Sequence, residues 1–318
     1  MVLNGKKVVE IRLCSSYSQL PADKFAFSVL DINYEPPIPP VIEDKVEKTW
    51  EKFTAKNSKA TDGQVAYLHS FQGYDSGNGP TAAVNLAPYR YARHFARDDI
   101  EMIDTKSGDY ARLFPLTTWI IVSSNDNEGL FGYKHDYDVN VVSGFGSIVA
   151  AKDCGVNSSG ATLDEHLQRV LGNEFGERLA ERLVSSELTT FGLNYSPQVS
   201  PLSGEGKIIG PREFDLVCHA RIDGDTKKLV SLMQENEQFK KELIPVKLDE
   251  KNLFAFLKNK NFNHTKSCVG GIISYLVKDL DNPEKQKTVA EYNYFGRINL
   301  ELIDPALNGQ VNERVTLP

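Results

Sequence analysis

The run TTWIIVSS, residues 117–124, constrains the fold of this chain more than any other segment. Its β-branched and aromatic residues predict the strongest strand of the sequence. Two further strand-like runs follow at 129–134 and 138–146. The polar stretch SNDNEG, residues 124–129, supplies the turn after the first strand. These runs together predict a β-meander at the centre of the chain.

The N-terminal third alternates between strand-like runs and one clear helix. The prolines of EPPIPP, residues 35–40, exclude regular structure and predict a stiff extended connector. Apolar residues then recur at helical spacing over 41–53, which predicts an amphipathic helix. The other predicted elements of this part are strands at 7–14, 25–32, 64–71 and 82–87.

The segment 161–192 predicts helical structure, because two apolar stripes recur there at helical spacing. Gly172 and Gly176 are expected to divide it into two helices, and Gly192 suits a left-handed residue at the end of the second. The remaining predictions are strands at 213–221 and 243–248 and helices at 226–234, 252–259 and 268–280.

This order of strands and helices predicts an α/β or α+β fold with a mixed sheet. The length of 318 residues suits one large domain or two ordinary ones. We place a boundary near residue 110, between a smaller α+β domain (1–110) and a second domain (111–285). The polar segment 286–318 has no clear period and is expected to be an irregular tail.

Charge and cysteine content limit the possible partners and locations. The formal net charge is −7 and no Lys/Arg block is dense, so we expect no nucleic-acid partner. The four cysteines are far apart, which excludes a CxxC metal or redox pair. The sequence has no apolar run of about 18 residues, so it predicts a cytoplasmic protein that does not associate with membranes. The oligomeric state stays open.

Most nucleotide, hydrolase and metal motifs are missing from the sequence. GFGSIV, residues 144–149, follows a strand but lacks the third glycine and the following helix of a dinucleotide fingerprint. No Walker loop, GxSxG elbow or HExxH motif is present, and the six histidines are scattered. These patterns argue against a Rossmann site and against a zinc site.

The order of elements resembles the Nudix hydrolase superfamily. A strand leads to the glycine loop at 144–146, a long helix ends in FGL (191–193), and the strand LVCHARID (216–223) follows. Two N-terminal patches are similar to the UDP-sugar diphosphatase branch: VEKTWEKFTAKNSKATDGQVAYLHSF (46–71) and LAPYRYARHF (86–95). The resemblance implies a Nudix-like α/β/α sandwich behind a smaller N-terminal domain.

In that family a glycine loop and helix carry the pattern G-x5-E-x7-R-E-U-x-E-E-x-G-U, whose carboxylates bind Mg²⁺. One register places its last nine positions on SSELTTFGL, 185–193, where threonines replace the paired acids. A second register places them on RVLGNEFGE, 169–177, and keeps Arg169, Glu174 and Gly176. We prefer the first, because it leaves a shorter connection to the strand at 213–221. The box is degenerate in either register.

The resemblance nominates Glu187 as the catalytic carboxylate and metal ligand, with Glu181 as a second ligand for a tentative Mg²⁺. The alternative for both glutamates is an ordinary solvent-exposed position on the surface of a helix. One carboxylate holds Mg²⁺ poorly, although substrate phosphates and waters complete such sites.

Four residues are candidates for binding the substrate. Arg90 and Arg93, with Arg97, share a helix face, and their guanidinium groups could bind a phosphate. The alternative is a solvated face paired with acids such as those at 98, 99 and 101. Gly144 and Gly146 would let a backbone approach a ligand, or would form an ordinary tight turn. Nearby aromatic residues fit base stacking or plain packing; they are Tyr89, Tyr91 and Phe95.

Three functions remain open at this point. The resemblance implies a Mg²⁺-dependent hydrolase that splits a nucleoside diphosphate-sugar into nucleoside monophosphate and sugar phosphate. The missing acids favour a catalytically inactive Nudix-fold module that binds a nucleotide or a protein. The third possibility is an unrelated α/β scaffold.

Overall fold

The computed structural model describes residues 2–3, 6–7, 11–72, 81–97, 114–136, 139–156, 162–176, 181–182, 188–195, 213–234, 242–259, 263–277, 300–303 and 311–315. Fifteen strands lie in these segments: β1 (Val2–Leu3), β2 (Lys6–Lys7), β3 (Ile11–Pro21), β4 (Ala26–Asp31), β5 (Gln64–Gln72), β6 (Thr81–Pro88), β7 (Leu116–Ser123), β8 (Glu128–Asp136), β9 (Val139–Ser143), β10 (Thr189–Tyr195), β11 (Phe214–Arg221), β12 (Glu242–Lys247), β13 (Asn263–His264), β14 (Leu300–Ile303) and β15 (Val311–Val315).

Six α-helices accompany them in the same segments: α1 (Pro40–Lys56), α2 (Tyr89–Arg97), α3 (Leu163–Phe175), α4 (Thr226–Gln234), α5 (Glu250–Lys258) and α6 (Lys266–Val277). The mixed α and β content confirms the predicted fold class. Strand β7 contains most of the TTWIIVSS run, as predicted. Helix α1 begins at Pro40, the last residue of the proline connector, one residue before the predicted start.

The larger sheet has ten strands in the order β13-β9-β8-β7-β11-β10-β3-β14-β15, with β12 paired to β8. Strands β7 and β11 run parallel over their whole length, whereas β8 and β10 are antiparallel to their neighbours in the middle of the sheet. The sheet is therefore mixed, with the parallel pair β7–β11 near its centre and further parallel pairs at β13–β9 and β3–β14.

The two faces of β7 are both covered by helices. Because side chains alternate along a strand, Ile120 and Val122 face one side and Trp119 and Ile121 face the other. The first pair packs in the cluster that contains the apolar stripe of α3. The second pair packs in the cluster that contains residues of α5 and α6. The large sheet is thus the middle layer of a three-layer arrangement.

A second sheet of three strands, in the order β4-β6-β5, lies beside α1 and α2. Its core residue Leu86, and Phe25 directly before β4, belong to the same buried cluster as Phe145 and Leu167, which lie near the large sheet. Strand β3, from the first 21 residues, joins the large sheet next to β10. The large sheet therefore takes strands from both sides of residue 110, and the predicted domain division stays a prediction.

The prediction of helical structure throughout 161–192 is wrong at its C-terminal end. Helix α3 ends at Phe175, and Thr189–Tyr195 forms β10, which pairs with both β11 and β3. Gly192 lies beside a shift in register within that strand and does not end a helix. Pairing on both edges, which local periodicity does not reveal, stabilises the extended backbone of the β-branched Thr189 and Thr190.

The prediction of an irregular tail over 286–318 is also wrong for two short segments. Strand β14 pairs in parallel with β3, and β15 pairs with β14. The two segments are only four and five residues long, LELI and VNERV, which is too short for a clear apolar period in the sequence. The partner strand of β14, β3, lies almost three hundred residues earlier, which only tertiary structure could reveal.

Candidate functional site

In the second register of the predicted pattern, the final glycine falls directly after the end of helix α3. Gly176 follows the helix with φ 85°, and its N–H donates to the carbonyl of Gly172 at 2.8 Å. The first glycine of the pattern then falls on Gly155, which has φ 76°. Positive φ values favour glycine. The preferred register, on 185–193, requires a helix that ends at the glycine of the pattern. It is wrong, because that glycine lies within strand β10.

In this register, only some positions of the pattern hold the expected residue types. Arg169 and Glu174 occupy an Arg and an acid position, whereas Val170 and Asn173 occupy the two other acid positions in the helix. Val170 is 2% exposed and belongs to the core beneath α3. Helix α3 therefore presents one carboxylate where the family pattern has three.

Arg169 is held by a buried polar network, which we call the Asp153 network. Its Nε and one terminal nitrogen donate to the two carboxylate oxygens of Asp153 at 2.8 and 2.6 Å. His166 Nδ1 lies 3.2 Å from Asp153 Oδ2, and its Nε2 lies 3.0 Å from the hydroxyl of Thr118. The N–H of Ala150 donates to the same carboxylate at 2.8 Å.

The pKa shifts within this network follow from its burial and its charges. Burial alone would raise the pKa of Asp153, but the hydrogen bond and charge of His166, the Ala150 N–H and Arg169 together lower it. Burial lowers the pKa of His166 despite the opposing effect of Asp153. The ionised form of Asp153 is therefore favoured, and the Arg169 guanidinium lies beside it as a counter-charge.

The Asp153 network resembles a catalytic triad in its Thr-His-Asp connectivity, but it is closed. The side chains of His166 and Asp153 are 0% and 4% exposed, and Thr118 is 3% exposed. A nucleophile must be accessible to its substrate. The arrangement joins β7, the turn at 151–154 and α3, and we assign it a structural role. The His166–Arg169 spacing of three was its one visible signal in the sequence.

The carboxyl ends of the parallel strands β7 and β11 carry a second set of polar groups. Ligands often bind at this edge of an open α/β sheet. Here the Ser124 hydroxyl bonds Thr226 at 2.8 Å, and the Asn125 amide donates to Asp223 at 2.8 Å. Asp126 accepts the N–H of Thr226 at 3.1 Å. These groups bind each other and fix the loop before α4.

The predicted metal ligands do not form a described site. Glu187 lies outside the described residues, and Glu181 lies in an exposed turn after α3. Among the residues that the structure describes, no group of three or more His, Cys, Asp or Glu side chains could hold a metal ion. We therefore derive no chemical step through a metal ion.

The two predicted phosphate-binding arginines have different environments on α2. Arg90 is tied to two acids: its Nε lies 3.0 Å from Glu47, and a terminal nitrogen donates to Asp62 at 2.7 Å. Arg93 instead lies over the ring of Phe53, with its guanidinium carbon 4.7 Å from the ring centroid. The side chain of Arg97 lies outside the described set.

The two glycines of the loop after β9 are needed for packing. A Cβ atom on Gly144 would lie 2.5 Å from the Trp119 ring, and one on Gly146 would lie 1.9 Å from the carbonyl oxygen of Thr118. The loop backbone pairs with β7 through Phe145 and Ile120. Close approach of two backbone segments therefore accounts for these glycines.

Two of the three candidate stacking residues are interior. Tyr91 is 7% exposed and Phe95 is fully buried. Tyr89 is partly exposed, and it contacts Trp50 and Phe53 of α1. The sequence does not reveal this contact between the two helices, because the two aromatic residues of α1 also fit its apolar stripe.

Comparison of the sequence with protein-family models and with curated proteins finds no match. Among the described helices, none has the length and apolarity needed to cross a membrane.

Proposed function

We propose that this protein is a Nudix-like module that binds a nucleotide or nucleotide-sugar and does not hydrolyse it. One observation carries the proposal: α3 ends at Gly176, so the second register of the Nudix pattern coincides with a helix and its end. In that register Val170 and Asn173 stand at acid positions, and Val170 is 2% exposed.

The physical argument concerns the charge that hydrolysis requires. A Mg²⁺ site for phosphate chemistry uses one or two carboxylates together with substrate phosphates and waters. A buried valine offers no oxygen ligand, and Arg169 is committed to Asp153 at 2.6 and 2.8 Å. Glu174 is the one carboxylate of the helix that this register retains. Binding without metal-assisted catalysis is the function that these residues support.

The expected ligand class comes from the resemblance of 46–71 and 86–95 to the UDP-sugar diphosphatase branch. We propose a cytoplasmic location for this activity. Three buried free thiols are compatible with a reducing environment, at Cys154, Cys218 and Cys268.

Calorimetry tests this function directly. The full chain is titrated with UDP, UDP-glucose and the matching adenine and guanine nucleotides, in Mg²⁺ and again in EDTA. We expect binding of at least one nucleotide with an affinity that changes less than about threefold between the two buffers, because no metal bridges ligand and protein. Chromatography of the mixtures should show no product. Absence of binding to every nucleotide would overturn the proposal.

A Mg²⁺-dependent hydrolase is the second candidate. Glu174, retained in α3, and Glu181, exposed in the turn beyond it, favour this candidate. Release of UMP and glucose 1-phosphate from UDP-glucose with Mg²⁺ would establish it in place of the binding module. If Glu187→Gln then left turnover unchanged, the role of Glu187 would be wrong while the activity stood.

A further inference from the structure

A cluster of three aromatic side chains lies at the junction of α1 and α2. The ring centroids of Trp50 and Phe53 are 5.5 Å apart, and those of Trp50 and Tyr89 are 6.1 Å apart in an edge-to-face arrangement. Phe53 and Tyr89 are separated by 6.4 Å. All three side chains are partly exposed. We call this group, together with Arg93, the aromatic-arginine patch.

Arg93 completes the patch. Its guanidinium lies over the ring of Phe53, with the guanidinium carbon 4.7 Å from the ring centroid. Within the described part of the chain, Arg93 has no ion-pair partner, and its buried Nε has no hydrogen-bond acceptor. Stacking on the ring restricts the side chain and leaves the guanidinium edge for an anion. Arg90, one turn earlier, already binds Glu47 and Asp62.

Local hydrogen bonds fix the geometry of the patch. The N–H of Tyr89 donates to the carbonyl of Gly63 at 3.0 Å, and the N–H of Arg90 donates to Asp62 at 2.8 Å. These bonds anchor the first turn of α2 to the connection before β5. The Tyr89 ring and the Arg93 side chain are therefore presented from a helix whose start is held in place.

We propose that the aromatic-arginine patch is the nucleotide-binding site of this protein, with Arg93 on the phosphate and an exposed aromatic ring stacked on the base. The inference rests on the proposed binding function and names its location. Aromatic stacking is tolerant of base identity, and a guanidinium fork matches phosphate oxygens. The patch supplies both groups within one rigid junction.

The surroundings of the patch favour a small ligand over a protein partner. Charged residues with exposed side chains flank the rings along α1, at Lys48, Glu51, Lys52 and Lys56. The central part of a protein interface is depleted of such residues and extends over roughly 800 Å² on each partner. Three rings beside Arg93 instead match the size of a nucleotide.

Tryptophan fluorescence provides a local readout for the test. The chain has two tryptophans, and Trp119 is 3% exposed, so Trp50 reports on surface ligands. UDP is titrated into the full chain, with uridine and inorganic phosphate as separate probes. We expect UDP to change the emission and to bind more tightly than either fragment, because it engages both halves of the site.

Two variants and one control locate the site. Arg93→Gln should weaken UDP binding by about tenfold or more, a change that calorimetry resolves. Trp50→Phe should abolish the fluorescence change. Lys52→Gln is the matched control, because it removes a positive charge from an exposed position on the same surface. It should shift the UDP affinity by less than about twofold. Arg93→Lys, which keeps the charge without the fork, serves if the glutamine variant does not fold.

The outcomes separate this inference from the proposed function. If wild type binds UDP and Arg93→Gln binds it equally well, the patch is not the site, although the protein remains a nucleotide-binding module. If wild type binds no nucleotide in calorimetry, both proposals fall. Equal weakening in Arg93→Gln and Lys52→Gln would show a general charge effect and would also overturn the site.

Discussion

Arg169 and Arg93 both extend from helices, yet the structure uses the two guanidinium groups differently. Arg169 forms two hydrogen bonds to Asp153, whose side chain is 4% exposed, and so belongs to a closed network. Arg93 stacks on the partly exposed Phe53 and has no ion-pair partner in the described segments. The difference teaches that residue type alone does not identify a ligand site. What decides between a structural role and a ligand site is whether the hydrogen-bond donors of the arginine are already paired.

The largest expected effect comes from breaking the Asp153 network. Asp153→Ala removes the acceptor for Arg169 and the charge beside His166. Losing one partner of a buried pair is strongly destabilising, and the 29% exposure of the Arg169 side chain reduces that cost. We expect a decrease of about 3 kcal/mol in the free energy of unfolding, measured by urea denaturation at pH 7.

The matched comparison for this variant is Arg93→Gln in the aromatic-arginine patch. Its free energy of unfolding should fall by about 0.5 kcal/mol, because it loses one exposed cation–π contact. If both variants were destabilised equally, the distinction between a structural network and a free patch would be wrong.

A pH series sharpens the comparison by asking what burial does to the pKa of a titratable side chain outside the Asp153 network. Burial lowers the pKa of His264 to about 4 from 6.5, whereas the Asp153 charge opposes the effect of burial on His166. Between these values the unfolded chain binds a proton on His264 that the folded chain excludes. Stability therefore falls as pH decreases from 6.5 towards 4.

We expect His264 to contribute a loss of about 2 kcal/mol between pH 7 and pH 5. His264→Phe should remove that part of the pH dependence, because a neutral ring of similar size keeps the edge-to-face contact with Phe256. Urea denaturation at both pH values checks it. An unchanged pH slope in the variant would contradict the assignment.

An effect of similar size is expected at the glycine loop, which the sequence nominated for ligand binding. Gly146→Ala would place a Cβ atom 1.9 Å from the backbone oxygen of Thr118, a member of the Asp153 network. Overpacking of this kind costs about 2 kcal/mol of folding free energy. Thermal and urea unfolding should both show the loss.

Gly63→Ala is the control for this variant, since a Cβ there would meet no heavy atom within 4 Å. It should change stability by less than about 0.5 kcal/mol. A Gly146→Ala protein with wild-type stability and impaired nucleotide binding would restore the ligand-binding interpretation of the loop.

The sequence by itself determined most of the secondary structure. Periodicity and β-branched composition located β7, β11, α1 and the helices of the C-terminal side, because these elements bury a continuous apolar face. It also limited the chemistry of the helix pattern, since no fold can convert Val170 or Asn173 into a carboxylate.

Tertiary structure decided the elements and contacts that depend on distant partners. Thr189–Tyr195 became a strand because β11 and β3 pair with both its edges, against a local pattern that indicated helix. Asp153 contacts Arg169, and Trp50 contacts Tyr89, because the fold packs their elements together. No regular spacing in the sequence indicates either contact. Hydrogen-bond saturation and burial are properties of three-dimensional neighbours. The sequence therefore nominated arginines, and the fold separated Arg169, which is paired with Asp153, from Arg93, which has no ion-pair partner among the described residues.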